Sequence, residues 1–522
     1  MNRCTLALTL MLPVLFVAWP ETTPAAAPGD AFELTVQRRD DTDRLIHEPR
    51  SIDPARTVIV VVDMWDKHWC KTFTRRVANL VPRMNLTLLA ARKLGIPIVF
   101  APSDVLQPYH DTPQRRAMLA VEQQPLPPHK PIDAPPNPGP TDQCECGPGA
   151  KPKRFKAWTA QHADLVIGPD DFIADCNNGR ELLNLCQSRN VDTVVYMGVA
   201  SNMCVQYRGM GMRNMLGYGL QALLVSDLTQ AITANGLGAD LKPDPNFTPA
   251  KGTAQVQRHI ERYLAPTFES RQLIRQAGIG PYADDRRPHI ALVVAEREYD
   301  THNTLPRFAR AYLDEKYRCS FCFPQGHDGA ERNDVRGLEV LLDADLLVLS
   351  MRRRALPVEQ MDHLEWFIRA GKPLVAIRTS VTPFQVREAI PDGHVTWDRF
   401  DRQVLGCNYN FYDSRSRETG CDVWAAPEAA AHPIVAAMPT TSFHSPSWIY
   451  RVRPLDDRTT PLLLGRFSPQ AEVEPVAWTS TFNSGRVFCT TLGHAGDFEI
   501  EAFNRLLIAG IDWALDRPPT KR

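Results

Sequence analysis

The sequence predicts two α/β domains in tandem, each doubly wound into three layers around a mainly parallel sheet. Three observations lead there. The chain has 522 residues, more than one ordinary domain holds. Short β-branched runs alternate with amphipathic stretches, the pattern of a parallel sheet covered on both faces. That alternation occurs twice, on either side of a segment with no clear period. The expected boundaries are a signal segment over 1–27, a first domain over 28–265, a linker over 266–287 and a second domain over 288–520.

In the first domain "TVIVVVD" (57–63) predicts a buried strand that ends on Asp63. The stretch 75–95 places apolar residues at helical spacing and stops at Gly95, a C-cap signal. "IPIVFAPSD" predicts a second strand, ending at Asp104, and "ADLVIG" (163–168) a further short one. Proline-rich sequence between them, from Pro125 to Pro152, predicts a surface excursion. The helix "GRELLNLCQSRNV", the strand "DTVVYMG", one helix over 204–219, the strand "LQALLVSD" and the helix "AQVQRHIERYL" follow, with 258–262 read as a solvated face. In the second domain "HIALVVAE", "ADLLVLSM" and "KPLVAIRTS" predict strands. "LPRFARAYLDEKY" and "PVEQMDHLEWFIRAG" predict the intervening helices. "EPVAWTSTF", "GRVFCTTLG" and the helix "EAFNRLLIAGIDWAL" close the chain.

Composition excludes several classes. A formal net charge of −1 gives no footprint for nucleic acid. "MNR", an apolar run interrupted by Pro13, and Ala25-x-Ala27 predict a cleavable export signal, placing the mature chain in the periplasm or outside the cell, with no membrane attachment after cleavage. Of twelve cysteines, Cys4 leaves with that segment and eleven remain, an odd number. "CEC" (Cys144, Cys146) and "CSFC" (Cys319, Cys322) are close pairs, but two thiols are too few for a metal without further ligands nearby.

In doubly wound sheets ligands bind beyond the carboxyl ends of the strands. Asp63 falls there, and so does Cys204, one turn past "DTVVYMG" at the start of the next helix. Unsatisfied N–H groups and the helix dipole at that point are expected to lower the thiol pKa. The same N–H groups would stabilise an oxyanion, and Asp63 would shuttle a proton. The competing reading makes Cys204 a small buried hydrophobe and Asp63 a loop cap.

"VIVVVDMWDKHWC", "GVASNMCVQYRGMGMRNM" and "LLVSDLTQAI" resemble the isochorismatase-like cysteine hydrolases, over about Thr57 to Leu264. The resemblance implies a six-stranded parallel sheet. It also implies Cys204 as nucleophile, Asp63 as acid/base, a turn formed by Val199, Ala200 and Asn202, and often a cis Val199–Ala200 bond. The family's catalytic lysine is missing, because Pro169 stands at its place in "VIGPDDFIAD". His162 is the conceivable substitute. Trp65, His68, Asp104, Tyr109 and His110 are candidate pocket residues. His68 and Asp104 are also weak candidates for a divalent metal; no cofactor is otherwise expected.

"DADLLVLSMRRRALPVEQMDHLEWFIRAGKPLVAIRTS" and "GHAGDFEIEAFNRLLIAGIDWAL" resemble the trehalose-utilisation (ThuA-like) family of the class I glutamine amidotransferase-like fold, over about Pro288 to Leu515. Amidotransferases carry a cysteine in the turn after the central strand. Here Arg378, Thr379 and Ser380 occupy it. Glu296, His302, Arg378, Thr379, His494 and Asp497 are the candidate pocket of this half. An Arg378–Asp497 ion pair, with His494 capping the last helix, is the structural alternative.

Two functions follow. One is an exported cysteine hydrolase of a small amide or related carbonyl compound. The other is a non-catalytic protein that binds a small molecule, such as a carbohydrate, on two degenerate enzyme folds.

Overall fold

β-Branched runs form the sheet interiors because branched side chains fit a pleated surface that is buried on both sides. The computed structural model describes residues 27, 29–138, 144–146, 154–233, 248–280, 284–326 and 328–516. The expected signal segment lies outside them except for Ala27. No helix among the described residues is long and apolar enough to cross a membrane.

The first domain contains strands β1 (Phe32–Arg39), β2 (Leu45–Ile52), β3 (Thr57–Val62), β4 (Ile98–Ala101), β5 (Phe172–Ile173), β6 (Thr193–Val199), β7 (Gln221–Gln230) and β8 (Thr267–Phe268). They form one sheet in the order β2-β1-β8-β7-β6-β3-β4-β5. The six strands from β8 to β5 are parallel, and the β1–β2 hairpin adds an antiparallel edge. Its helices are α1 (Lys71–Leu94), α2 (Pro113–Leu119), α3 (Gly179–Ser188), α4 (Cys204–Tyr207), α5 (Met212–Gly217), α6 (Pro249–Tyr263) and α7 (Ser270–Gln276). α1, α6 and α7 cover one face; α2, α3 and α5 group on the other. Gly95 closes α1 in the left-handed conformation, φ 83°.

Four expectations are corrected here. "ADLVIG" is not a strand; the pairing falls at Phe172–Ile173, beside β4. The helix expected over 204–219 is two short helices, α4 and α5, broken at 208–211. A Cβ on Gly209 would lie 2.2 Å from the Asn177 carbonyl oxygen, so the chain passes there too closely for any other residue. The expected linker contains β8 and α7, which belong to the first sheet and its helical layer. The face 258–262 is not solvated throughout: Glu261 is buried and accepts hydrogen bonds from Gln37 (2.7 Å), Arg39 (3.0 Å) and Thr267 (2.9 Å). The β1–β2 hairpin, which carries Gln37 and Arg39, folds against this helix.

In the second domain five parallel strands run in the order 318–322, 289–295, 346–351, 374–377 and 485–490, and four antiparallel strands extend the sheet through 474–482, 460–466, 421–425 and 442–445. Alternation along the strand 289–295 builds a core on each face. Ile290, Leu292 and Val294 enter one with the helix 501–514; Ala291, Val293 and Ala295 enter the other with the helix 358–369.

The domains dock through charged groups. Arg83 on α1 grips Asp343 with both terminal nitrogens (3.0 and 2.8 Å) and donates to Ser270 (2.8 Å). Arg271 pairs with Asp345, and Lys372 with Glu269.

Candidate active site

Asp63 follows β3 directly and takes φ 46°, which turns its side chain back over the sheet rim. It is fully buried, and its two carboxylate oxygens accept hydrogen bonds from the Ser103 backbone N–H and hydroxyl, the latter at 2.7 Å. Ser103 comes from the end of β4, so two adjacent strands fix one carboxylate. Next to β3 lies β6, whose end reaches close contact only because residue 198 is glycine. A Cβ there would stand 2.0 Å from the Val62 carbonyl oxygen. The chain then passes through the cis Val199–Ala200 bond and turns into α4 with Cys204 as its first residue.

This arrangement brings the Cys204 thiol to the Asp63 carboxylate and to the side chain of Arg208. Arg208 ends the turn begun at Cys204, its N–H donating to the Cys204 carbonyl oxygen at 3.3 Å. Its guanidinium is held by Asn177 Oδ1 (2.8 Å) and Asp104 (3.6 Å). Cys176, also buried, lies on the same side of the sheet and senses both Asp63 and Cys204. An open cleft of about 640 Å³ exposes the turn, lined by Pro136, Asn137, Asn202, Met203, Cys204, Tyr207 and Arg208.

The electrostatics differ from the expected lowering of the thiol pKa. Burial, then the Asp63 charge, push the Cys204 thiol well above its ordinary value, while Arg208 pulls it down. A one-turn helix supplies too small a dipole to outweigh a facing carboxylate and 4% exposure. Burial likewise raises Asp63, to about 6, against the stabilising contacts of Cys204, Ser103 and Arg208. At rest the proton therefore sits on sulfur, facing an ionised carboxylate at neutral pH.

The remaining first-domain candidates scatter. His162 is not the substitute cation: its Nδ1 accepts the Asp164 N–H (3.3 Å), and Arg208 holds the place beside the sulfur. His68 and Asp104 do not share a metal site. His68 stacks among Trp65, Trp69 and Trp158 with Nδ1 accepting the Cys70 N–H (3.1 Å), and burial depresses its pKa to about 4. Asp104 instead faces Arg208 and Asn177. Trp65 is core, Tyr109 accepts the Gln161 N–H (2.9 Å) through its hydroxyl, and His110 is exposed. The Asn202 side chain braces the chain after β7, exchanging hydrogen bonds with Ile232 N–H (3.0 Å) and C=O (2.8 Å). Arg208, Ser103 and Asn177 were not read from the sequence as site residues. Arg208 had a signal: it stands four residues after Cys204, the spacing that faces side chains on a helix.

In the second domain Arg378 takes the sharp turn after the strand Leu374–Ile377, with φ 52°. It is fully buried beneath the rings of Tyr299 and Tyr450, each 4.4 Å from its guanidinium, and donates to the carbonyls of Trp448 (3.0 Å) and Thr491 (2.6 Å). The closing turn is organised by Asp497, which accepts from Ser445 (2.5 Å), Ser447 (2.6 Å), Gly493 N–H (2.7 Å) and His494 N–H (2.8 Å).

Residues 291–514 match the family model ThuA, trehalose utilisation. The matched residues include the strand-end turn of Arg378 and the closing turn of Asp497. No curated protein matches the chain significantly. Solved structures similar to parts of it include a cysteine hydrolase from Pseudomonas syringae pv. phaseolicola, 18% identical over 43% of this chain and 94% of its own, TM-score 0.28. An isochorismatase from Pseudomonas putida is 13% identical over 42% and 91%, TM-score 0.28. A ThuA-like protein from Parabacteroides merdae is 13% identical over 45% and 93%, TM-score 0.33.

Within the second domain the remaining candidates serve mostly structure. Glu296 accepts the N–H groups of Tyr299 and Thr301 (both 2.9 Å) and so ties down the start of the helix 301–312. His302 faces Asp300 at 3.5 Å. His494 caps the turn 495–499 and not the last helix 501–514, which starts from Ile500, and Asp497 is satisfied by hydroxyls and N–H groups rather than by an ion pair with Arg378. Arg378 Nε and Nη2 and the Thr379 hydroxyl are buried without a hydrogen-bond partner among the described residues.

Proposed function

We propose that the N-terminal domain is a cysteine hydrolase that opens a small amide or related carbonyl compound through a covalent intermediate, and that the ThuA domain is a companion fold with arginine where an amidotransferase has its thiol. The observation that supports this is the convergence of Cys204, Asp63 and Arg208 on an open cleft at the strand ends. Export through the segment 1–27 belongs to the same reading.

The chemistry follows from the resting proton. As substrate displaces water from the cleft, the Cys204 proton passes to Asp63, whose carboxyl at about 6 is close to neutrality and suited to both directions of transfer. The sulfur attacks the carbonyl carbon, and the C=O electron pair moves to oxygen. Among the described residues the Ala200 and Cys204 backbone N–H groups have no acceptor, and they are the donors for that oxyanion. Asp63 then protonates the leaving nitrogen as the C–N bond breaks. Water attacks the thioester, gives its proton back through Asp63, and the thiol is restored. Arg208 stabilises the sulfur anion at each passage, the work the family lysine would do.

A panel of small primary amides tests this reading by ammonia release. Turnover by the native chain that is absent in Cys204→Ala supports it. A panel without turnover, in which compounds still raise the melting temperature, would favour the binding protein instead.

A further inference from the structure

The "CEC" turn has a third thiol facing it. Cys70, the residue before α1, brings its sulfur to 3.7 Å from that of Cys146 and 3.8 Å from that of Cys144, and all three sulfurs lie within 4.8 Å of one another. Among the described residues this is the one group of three metal-ligating side chains whose donor atoms converge. The other close pair behaves differently: Cys319 and Cys322 sit on one strand, and Cys322 donates to the Gly337 carbonyl (3.3 Å).

We propose that Cys70, Cys144 and Cys146 form a three-thiolate site for a thiophilic ion, zinc in the first place, that fastens the proline-rich excursion to the start of α1. Zinc–sulfur bonds of about 2.3 Å in a tetrahedral set place neighbouring sulfurs about 3.8 Å apart, which is the spacing of Cys70 from both partners. Each of the three sulfurs has a hydrogen-bond donor aimed at it. The Glu145 N–H points at Cys70 Sγ (3.3 Å), the Cys146 N–H at Cys144 Sγ (3.4 Å), and the Thr72 hydroxyl at Cys146 Sγ (3.6 Å). Such donors orient ligands and spread their charge. Binding releases the three thiol protons, so the filled site carries one net negative charge. Cys70 and Cys144 are buried and Cys146 is exposed, which leaves the fourth position on the solvent side.

The turn between the ligands is itself anchored. Glu145, buried, pairs with Arg76 of α1 at 2.8 Å and accepts the Thr233 N–H at 3.2 Å. Arg76 also donates to the Ala231 carbonyl (3.3 Å). The segment 230–233 is the one that Asn202 braces beside the Cys204 turn. An ion at the three sulfurs therefore steadies the segment that Asn202, a residue of the cleft, is bonded to, without touching the reacting atoms.

The test is metal analysis of the full chain, purified under reducing conditions without chelator. About one zinc per chain is expected, with Cys70, Cys144 and Cys146 protected from alkylation until a chelator is added. Cobalt in place of zinc should give the intense charge-transfer absorption of thiolate ligation. Cys144→Ser/Cys146→Ser should lose both metal and absorption, and Cys319→Ser/Cys322→Ser should keep them. Peptide mapping that finds Cys70 disulfide-bonded in the native chain, a reduced native chain that takes up neither metal, or zinc retained in full by the Cys144/Cys146 variant each overturns the proposal. The first two readouts use the native chain, so they stand even where a variant fails to fold.

Discussion

Arg208 meets the sulfur of Cys204 from four residues further along the chain, one helical turn on, where the helix that Cys204 starts comes to its end. Here Arg208 becomes the C-cap, and Asn177 and Asp104 hold its guanidinium at the cleft. The first prediction concerns this residue. Arg208→Ala removes the cation that favours the thiolate, and a charge contributing about 3 kcal/mol to the transition state corresponds to roughly a hundredfold in rate. We expect kcat/KM for amide turnover to fall by about that factor and the pH midpoint of iodoacetamide labelling at Cys204 to rise. Unchanged labelling would remove Arg208 from the mechanism.

Asp63 predicts a pH dependence with a definite sign. Its folded value of about 6 lies above the ordinary 3.8. Below it the carboxyl is protonated and cannot accept the thiol proton, so activity should rise as pH increases through about 6. Asp63→Asn should abolish activity. Stability runs the other way. Between 3.8 and about 6 the folded chain holds a proton that the unfolded chain has lost, so this group's contribution falls as pH rises through that window. Asp63→Asn should therefore be inactive yet more stable at pH 7, by up to about 3 kcal/mol. Urea denaturation of both proteins at pH 4 and pH 7 measures the difference.

How much of this was legible beforehand follows the range of each interaction. The strand Thr57–Val62 and the helix ending at Gly95 rest on local periodicity and one C-cap, and both were read directly. Asp63 and Cys204 were placed because they follow strands, the rule that locates sites in doubly wound sheets. Arg208 is not at the family's lysine position, where Pro169 stands; its only local signal is that it lies one helical turn from the sulfur. β8 escaped because two residues, Thr267 and Phe268, carry no period, and their pairing with β7 is decided by tertiary contact. Cys70 and Cys144 are 74 positions apart, so nothing local in either segment announces the other.

The domain interface should depend on Arg83. It is nearly buried, clasps Asp343, and lies 4.0 Å from the fully buried Asp227 carboxylate. Arg83→Ala leaves Ser270 and the buried Asp227 without that cation, while the Asp343 side chain, 39% exposed, turns to water, so a loss of about 1–3 kcal/mol is expected. The denaturation midpoint should drop accordingly, while Arg38→Ala, at an exposed pair with Glu48, should change it little.

Asp497 should be the strongest single support of the closing turn of the second domain. Asp497→Ala leaves two buried hydroxyls and two N–H groups without their acceptor, at about 1–3 kcal/mol for each unsatisfied group. Marked destabilisation in urea is expected. A melting temperature close to the native value would show that the turn has other support.

The most direct measurement is acid-quenched mass spectrometry of the native chain during turnover of a small amide. An acyl adduct that maps to Cys204, forms before product is released, and is absent in Cys204→Ala is the expected result. Amide hydrolysis that proceeds undiminished in Cys204→Ala, with no adduct on the native chain, would contradict it.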